Sequence, residues 1–290
     1  MDHGRGGGRD RCCTIIIATL ASADRADGLR RAIDSVLRDN SSLPEVFVVA
    51  NGTRYDPALL RELMDRADIR TAHLEKGSLP GAIAHGVAAS STAYFGFLDD
   101  DDEYLPGAVD RRLRALEERP EAAVLASNGY RSSGGEDRIA LERLGEVEAD
   151  PLLALFRENW LPSCGGLFRR ALLPDGLFQG IPALLEWTWV AFHLARAGGS
   201  VAVLDEPTFR IHATAGSESR SPAYVRSLPE TLHRIREESR RADVRAVVTR
   251  HLTQSLYTAS AHSLRRGEYR DAWGYHLRCL RLPTGWRFWR

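Results

Sequence analysis

The chain has 290 residues, of which 43% are hydrophobic, and its 39 Lys plus Arg balance 39 Asp plus Glu to a formal net charge of zero. A chain of this size can bury one large core, and its charge balance excludes a bulk nucleic-acid binder and a disordered acidic protein. No stretch approaches the roughly 20 apolar residues of a membrane span. The four cysteines show neither metal nor disulfide spacing, so we expect reduced thiols in the cytoplasm.

The first half of the chain alternates predicted strands and helices. Residues 1–13, rich in Gly and Arg, are predicted to be disordered, and the apolar run 14–20 that follows is too short for a signal peptide. Strands are then predicted at 14–20, 45–50, 69–74, 93–98 and 122–126, with helices beginning near Leu29, Pro57, Pro80 and Pro106. This order predicts an α/β fold with a Rossmann-like, mostly parallel central sheet and helices on both faces. Ligands of such sheets bind beyond the carboxyl ends of the strands.

The second half departs from this rhythm. A polar, Gly-rich loop is predicted at 131–136, a short strand at 201–204, and helices at 152–156 and 184–197. After Ser221 the pattern is helical throughout, with a turn at Arg266–Gly267. Residues 221–290 contain 14 Arg against 6 Asp plus Glu, a net charge of +8, so residues 1–220 carry −8. The chain therefore joins an acidic body to a basic helical tail.

Five consecutive acidic residues, Asp99 to Glu103, directly follow the predicted strand 93–98. Their mutual repulsion at the edge of a sheet is costly unless a cation binds there. Mg²⁺ and Mn²⁺ prefer carboxylate oxygens and share them with substrate phosphates. The same residues also suit an exposed acidic turn before the helix near Pro106, so composition alone leaves both interpretations open.

The acidic segment reads FLDDDDEYLP at 97–106. Six other segments accompany it: TIIIATLA at 14–21, RAIDSVL at 31–37, VVANGT at 48–53, CGGLFRR at 164–170, LEW at 185–187 with LARAG at 194–198, and FRIHATAGS at 209–217. These seven segments resemble, in the same order, the motifs of family 2 glycosyltransferases, which have the GT-A fold, and the acidic segment resembles the metal-binding D-x-D segment of that family. The resemblance implies a GT-A domain at 14–217, divided into a nucleotide-sugar half at 14–128 and an acceptor half at 129–217. Residues 218–290 would be a helical C-terminal appendage.

The resemblance implies a metal-dependent, inverting glycosyltransferase that moves a sugar from a nucleotide-sugar donor to an acceptor hydroxyl. It places a divalent cation, Mn²⁺ or Mg²⁺, on Asp101 with help from His212, and Asp99 near the ribose or the metal. Asp100 is the competing assignment, since four adjacent aspartates leave the register open by one. Glu186 occupies the position of the catalytic base, where the family usually has Asp. We expect its apolar neighbours to desolvate this carboxylate and raise its pKa.

Donor contacts are expected from Thr19, Asn51 and Thr53, although the family's base-reading aspartate is replaced in this chain, which leaves the nucleotide base open. Trp160, Trp187 and Trp189 are expected in the acceptor region, because aromatic faces pack against sugar rings. Ordinary core packing is the alternative for these tryptophans. The acceptor would be a carbohydrate, a lipid-linked sugar or a small molecule.

Two rival functions follow from the same residues. The altered donor motifs favour a non-catalytic binding or assembly subunit that kept the GT-A fold. A sugar-phosphate nucleotidyltransferase is disfavoured, because residues 21–28 contain one Gly and no Lys. The basic tail, which ends in GWRFWR, suits docking onto the acidic body, docking onto a partner subunit of a homo-oligomer, or peripheral contact with anionic lipid at the inner face of a membrane. No recognised nucleic-acid motif is present.

Overall fold

The computed structural model describes residue 11 and residues 13–38, 40–213 and 221–288. The predicted disordered segment 1–13 therefore lies almost wholly outside the described residues, as do positions 214–217 of the FRIHATAGS segment. Cys13 is described, and it is the first residue of the first strand.

The N-terminal half contains the predicted alternation of strands and helices. Its elements are β1 (Cys13–Thr19), α1 (Ala26–Leu37), β2 (Glu45–Asn51), α2 (Pro57–Asp65), β3 (Arg70–Leu74), α3 (Leu79–Ala89) and β4 (Tyr94–Phe97). The β-branched run of β1 is almost fully buried, because helices cover both faces of the sheet. Helix α2 begins as predicted, where the Asp56 carboxylate accepts the backbone N–H groups of Ala58 and Leu59 at 2.8 Å.

In the rest of the body, from the acidic segment to β9, two strands are longer than the sequence pattern indicates. This part contains β5 (Glu103–Tyr104), α4 (Ala108–Glu117), β6 (Ala122–Ser133), β7 (Glu136–Ile139), α5 (Pro151–Leu155), β8 (Gly166–Arg169), α6 (Glu186–Arg196) and β9 (Ser200–His212). The predicted strands 122–126 and 201–204 were too short, because β6 and β9 pair along most of their lengths as far as Ser132 and His212. The predicted loop 131–136 was also wrong. It forms the β6–β7 hairpin, which turns at Gly134 and Gly135.

One sheet, ordered β3-β2-β1-β4-β8-β6-β9-β5 with β7 added to β6, runs through the molecule. Strands β1 to β4 are parallel, as predicted. Strand β8 is antiparallel to both β4 and β6, which makes the complete sheet mixed rather than mostly parallel. Strand β9 pairs with β5 so that Glu103 lies opposite Arg210, which brings the end of β9 beside the acidic segment.

The C-terminal region is helical, as predicted, with α7 (Pro222–Glu238), α8 (Ala242–Arg265) and α9 (Tyr269–Leu280), followed by a short 3₁₀ turn at Gly285–Phe288. The predicted turn between α8 and α9 is present, with Gly267 at a φ of 75°. Apolar side chains of α7 and α8 join the same hydrophobic core as the sheet, so the appendage packs against the body. Among the residues that the structure describes, no helix combines the length and the apolar character needed to cross a bilayer.

Candidate active site

The acidic segment leaves β4 at the carboxyl edge of the parallel strands, where side chains from distant parts of the chain hold it. The Thr19 hydroxyl at the end of β1 donates to Asp100 Oδ2 at 2.6 Å. The Ser163 hydroxyl donates to Asp99 Oδ2 at 2.5 Å. These bonds orient two of the four aspartates. Ser163 was missed by sequence reasoning, because its only signal was a place in the small-residue run before β8.

Two arginines from the loop and helix after β1 also contact the acidic segment. Arg25 Nη1 lies 2.8 Å from Asp100 Oδ1 and 3.2 Å from Asp101 Oδ2. Arg31 Nη2 donates to the Asp101 carbonyl at 2.7 Å. The approach is close at Gly28, where an added Cβ would lie 2.9 Å from the Asp100 carbonyl oxygen. The protein therefore supplies part of the positive charge that the aspartates require, a role for Arg25 that no local pattern indicated.

Strand β9 brings His212 to the other side of the segment. The backbone N–H of His212 donates to Asp102 Oδ1 at 3.0 Å. Its Nε2 is buried at 3.4 Å from Glu103 Oε1 and has no hydrogen-bond partner among the residues that the structure describes. Glu103 in turn accepts a hydrogen bond from Arg210 at 2.5 Å. The structure thus brings His212 to the acidic segment, from which it is separated by more than 100 positions in sequence.

Burial makes ionisation of this cluster unfavourable. Desolvation, reinforced by the neighbouring carboxylates Asp101, Asp100 and Glu186, raises the pKa of Asp99 to about 7. Burial raises the pKa of Asp102 to about 8, with the charge of Asp99 adding to the effect. Burial also raises the pKa of Asp100, against the opposing hydrogen bond from Thr19 and the charge of Arg25. A cation bound here would therefore stabilise the ionised carboxylates and lower their pKa values.

We expect the melting temperature of the metal-free protein to fall as pH rises from about 5 to about 8. Asp99 and Asp102 have higher pKa values in the folded protein than the value of about 4 for an exposed carboxyl. The folded state consequently holds more protons than the unfolded chain in this window, and its stability falls with pH. Asp102→Asn should make the melting temperature depend less on pH, because an amide does not ionise. The fold should be kept, because the amide oxygen can still accept from the His212 N–H. Calorimetry across this range measures the effect.

The control for this series is Asp65→Asn, which changes an exposed carboxylate at the end of α2. This variant should reproduce the slope of the unchanged protein. A melting temperature that rises over the same pH window, or an Asp102→Asn variant with an unaltered slope, would show that the two carboxyls ionise normally.

The donor atoms of this cluster fit a hard divalent cation. Carboxylate oxygens and a neutral imidazole are acceptable ligands for Mn²⁺, and the buried Nε2 of His212 is not hydrogen-bonded to any described residue. Within the described ranges, no group of three or more His, Cys, Asp or Glu side chains is already arranged around a common point. Arg25 contacts the Asp101 carboxylate, so a cation that bound Asp101 would either displace this guanidinium or share the carboxylate with it.

Glu186 is buried at the first position of α6, with 6% of its surface exposed. Its Oε1 accepts the backbone N–H of Leu184 at 2.9 Å, and Leu184 has a φ of 73°, in the left-handed region that branched residues rarely adopt. The ring of Trp187 packs against the ring of Phe97, with 4.8 Å between the two ring centroids. This contact puts the first turn of α6 beside the strand that ends in the acidic segment, so Glu186 and Asp99 interact electrostatically.

The three predicted acceptor tryptophans lie in different environments. Trp160 is 1% exposed, and its indole N–H donates to the Pro151 carbonyl at 2.8 Å. Trp189 is 5% exposed, with the Arg234 guanidinium 4.2 Å above its ring. Only Trp187 is partly exposed beside Glu186. The burial of Trp160 and Trp189 favours the alternative of core packing for these two residues.

A basic depression of about 490 Å³ adjoins Trp189 between α6, α7 and the 174–180 loop. His193, Arg196, Arg234 and Arg240 contribute to its wall. Its lining includes no residue of the acidic segment, which places it apart from the carboxylate cluster.

Of the residues predicted to contact the donor, Asn51 is hydrogen-bonded within the protein, whereas Thr53 is exposed. Asn51 is 4% exposed, donates to the Thr19 carbonyl at 2.9 Å and accepts the backbone N–H of Ser78 at 2.9 Å. Thr53 is exposed in the loop after β2. Ala21, in the loop after β1, has a φ of 49°, in the left-handed region that Ala rarely adopts. Asn51 therefore joins the loops after β1, β2 and β3 at one edge of the sheet.

Comparison with curated proteins gives partial matches to uncharacterized glycosyltransferases. One from Rickettsia felis is 25% identical over 119 residues, which is 41% of this chain and 20% of that protein. EpsJ from Bacillus subtilis is 31% identical over 107 residues, which is 36% of this chain and 31% of EpsJ. The chain thus spans less than a third of the length of these relatives.

Comparison with solved structures gives a likeness of fold. S. aureus TarS in complex with UDP-GlcNAc superposes with a TM-score of 0.61 at 15% identity, covering 86% of this chain and 72% of that one. The Pyrobaculum calidifontis mannosyltransferase PcManGT, in complex with GDP-Man and Mn²⁺, has a TM-score of 0.56 at 14% identity and covers 96% of this chain and 82% of that one.

The family model for glycosyl transferase family 2 matches residues 14–173. This range includes β1 from Thr14 onward, the loops after β2 and β3, the acidic segment and β8. The predicted resemblance and the predicted GT-A fold are confirmed by this match and by the structural neighbours. The chain belongs to glycosyl transferase family 2 and has the GT-A fold, with three further helices at its C-terminal end.

Proposed function

We propose that this protein is a metal-dependent, inverting glycosyltransferase that uses a nucleotide-sugar donor. The observation that carries the proposal is the placement of a buried carboxylate, Glu186, beside the acidic segment. The contact between Trp187 and Phe97 brings the two together, although they come from opposite halves of the chain. Glycosyl transfer from a nucleoside diphosphate requires two components: a carboxylate base for the acceptor hydroxyl, and a carboxylate cluster for the donor.

On the donor side, we assign the diphosphate to the acidic segment together with a divalent cation. Asp101 and His212 would hold the cation, with Asp99 near the ribose or the metal. When bound, the cation neutralises the leaving diphosphate as a Lewis acid. Asp100 is engaged by Thr19 and Arg25, which favours a positioning role for it over metal ligation.

On the acceptor side, we assign proton removal to Glu186. As the acceptor hydroxyl oxygen attacks the anomeric carbon, its proton passes to the Glu186 carboxylate. The new bond joins that oxygen to the anomeric carbon, and the bond between this carbon and the phosphate oxygen breaks. The nucleoside diphosphate leaves with the bonding electron pair. Attack opposite to the leaving group inverts the configuration of the sugar.

The acceptor is proposed to be a carbohydrate, a lipid-linked sugar or a small molecule, with Trp187 beside its ring. We also propose that the protein works in the cytoplasm. The buried thiols of Cys164 and Cys279 support this placement, because neither forms a disulfide within the described part of the chain.

The test is a thermal-shift panel of UDP, GDP, dTDP and CMP, each with and without Mn²⁺. We expect one nucleotide to raise the melting temperature by several degrees when Mn²⁺ is present and much less without it. Asp101→Ala should remove the metal-dependent part of this shift, because a ligand to the cation is lost. Asp65→Ala, at an exposed site of the same residue type, is the matched control and should behave like the unchanged protein.

A second function is favoured by the donor loops. Asn51 and Thr19 use their side chains within the protein, as a GT-A subunit that binds or assembles without catalysis would allow. If no nucleotide shifts the melting temperature with or without Mn²⁺, this non-catalytic role replaces the transferase. If one shifts it equally in Asp101→Ala, donor binding stands and the metal assignment fails.

A further inference from the structure

An apolar stripe on α9 faces solvent. Tyr269, Trp273 and Leu277 are spaced four residues apart on one side of this helix and are 65%, 64% and 49% exposed. Another side of the helix is buried through Ala272 and Cys279. We call these three exposed residues the α9 stripe. Large apolar side chains exposed together at helical spacing mark a surface that binds something.

Basic side chains border the α9 stripe. Arg270 is next to Tyr269 in sequence, and Arg281 comes directly after α9, four residues beyond Leu277. Both are exposed, and neither has a carboxylate within 4 Å among the described residues. Residues 264–288 contain six arginines and two acidic residues, a net charge of +4. An aromatic and aliphatic face next to unneutralised arginines is the arrangement of helices that lie in the interface of a membrane.

A second exposed tryptophan follows α9. Trp286 is 68% exposed on the 3₁₀ turn Gly285–Phe288, and the Arg287 guanidinium lies 5.6 Å from its ring. The turn is packed tightly on the end of α9, since a Cβ at Gly285 would lie 2.1 Å from the Cys279 carbonyl oxygen. The ring of Phe288 stacks on Tyr257 of α8 at 4.5 Å. This second aromatic anchor is therefore held in place beside α9 at no further cost in ordering.

We infer that the α9 stripe, with Trp286 and the bordering arginines, binds the surface of an anionic lipid bilayer. Charge decides between a bilayer and a second copy of the chain. A symmetric pair formed through this face would bring the same +4 segments together, whereas anionic headgroups complement them. Insertion would be shallow, with the apolar side chains among the headgroups and the arginines on the phosphates. The inference does not depend on the proposed glycosyl transfer.

The test is flotation of the full chain with vesicles of phosphatidylcholine, with and without phosphatidylglycerol. We expect binding only to the vesicles with phosphatidylglycerol, weakened by salt because the attraction is electrostatic. The double variant Trp273→Ser/Leu277→Ser should bind about tenfold more weakly or worse, since two side chains that enter the interface are lost. Arg270→Gln/Arg281→Gln should also weaken binding about tenfold, because each arginine near an anionic surface contributes.

Matched controls lie on the body of the protein. Leu43→Ser/Leu172→Ser removes two exposed leucines, at 53% and 42% exposure, and Arg61→Gln/Arg138→Gln removes two exposed arginines. Both controls should bind vesicles like the unchanged chain. Equal melting temperatures for all four variants would show that folding is preserved, as expected for exposed positions.

Three outcomes would overturn the inference. Absence of flotation with phosphatidylglycerol vesicles contradicts it directly. Equal binding to neutral vesicles contradicts the role of the arginines. A lipid-free dimer by light scattering that Trp273→Ser/Leu277→Ser converts to a monomer would assign the stripe to a second copy.

Discussion

Replacing Glu186 with Gln is expected to lower turnover by about 10²- to 10⁴-fold, the usual contribution of a general base, while nucleotide binding is retained. The amide cannot take the proton of the acceptor hydroxyl. The fold should survive, because a Gln Oε1 can still accept the backbone N–H of Leu184, as Glu186 does at 2.9 Å. Initial rates with a cognate donor and acceptor measure the loss, and the nucleotide-induced thermal shift checks that the donor site is intact.

Two further variants make the Glu186 result specific. Glu118→Gln changes an exposed glutamate at the end of α4 and should leave turnover unaltered. Glu186→Asp restores the residue type that the family usually has, but shortens the side chain by one methylene. We expect it to keep a measurable part of the activity, since a carboxylate remains within the site. Full turnover by Glu186→Gln would remove Glu186 as the base.

Replacing Trp160 with Ala is expected to lower the free energy of unfolding by about 3–5 kcal/mol, as for other large side chains deleted from a core. Trp160 is 1% exposed, and its indole N–H donates to the Pro151 carbonyl at the start of α5. The deletion leaves a large cavity and removes the indole hydrogen bond to the Pro151 carbonyl. For a chain of this size the melting temperature should fall by roughly 6–20 °C, which calorimetry or circular dichroism would measure.

The matched variant is Trp187→Ala, which separates packing from acceptor binding. Trp187 is partly exposed at the start of α6, so its loss should cost less stability than the loss of Trp160. It should instead raise the KM for the acceptor at an unchanged nucleotide affinity. If Trp160→Ala left the melting temperature unaltered and raised the acceptor KM, the tryptophan assignments would have to be exchanged.

The geometry of the acidic segment also explains how one edge of a sheet can hold five acidic residues. Arg25 and Arg31 supply positive charge from the loop and helix after β1, and hydroxyl and backbone donors reach Asp99, Asp100 and Asp102. Burial keeps the cluster short of full ionisation. In such a partly protonated cluster, an added divalent cation would shift the carboxyl pKa values strongly.

The altered donor motifs have a structural counterpart. Asn51 ties the loop after β2 to the Thr19 carbonyl and to Ser78, at the start of α3. The same amide that was predicted to contact the nucleotide therefore holds its surrounding loops together. The choice of base would then depend on neighbouring backbone groups and on exposed residues such as Thr53, which the nucleotide panel would show.

The sequence by itself determined the N-terminal half of the fold and the place of the acidic segment. Apolar runs of four to seven residues and capped helices such as α2 are local signals, so β1 to β4 follow from them within a few residues. An acidic run after a buried strand of a parallel sheet must lie at its carboxyl edge. The order of the motifs then identified the family.

Only the tertiary structure decided which groups surround that segment. The lengths of β6 and β9 depend on their pairing with each other, which no local periodicity records. Arg25 and Ser163 reach the aspartates across 75 and 64 positions of the chain, respectively. Trp160, Trp187 and Trp189 are the same residue type but differ in burial, because the packing of α5, α6 and α7 around each ring sets its exposure. Contacts between distant segments are set by packing of the whole chain, and the chemistry of this site consists of such contacts.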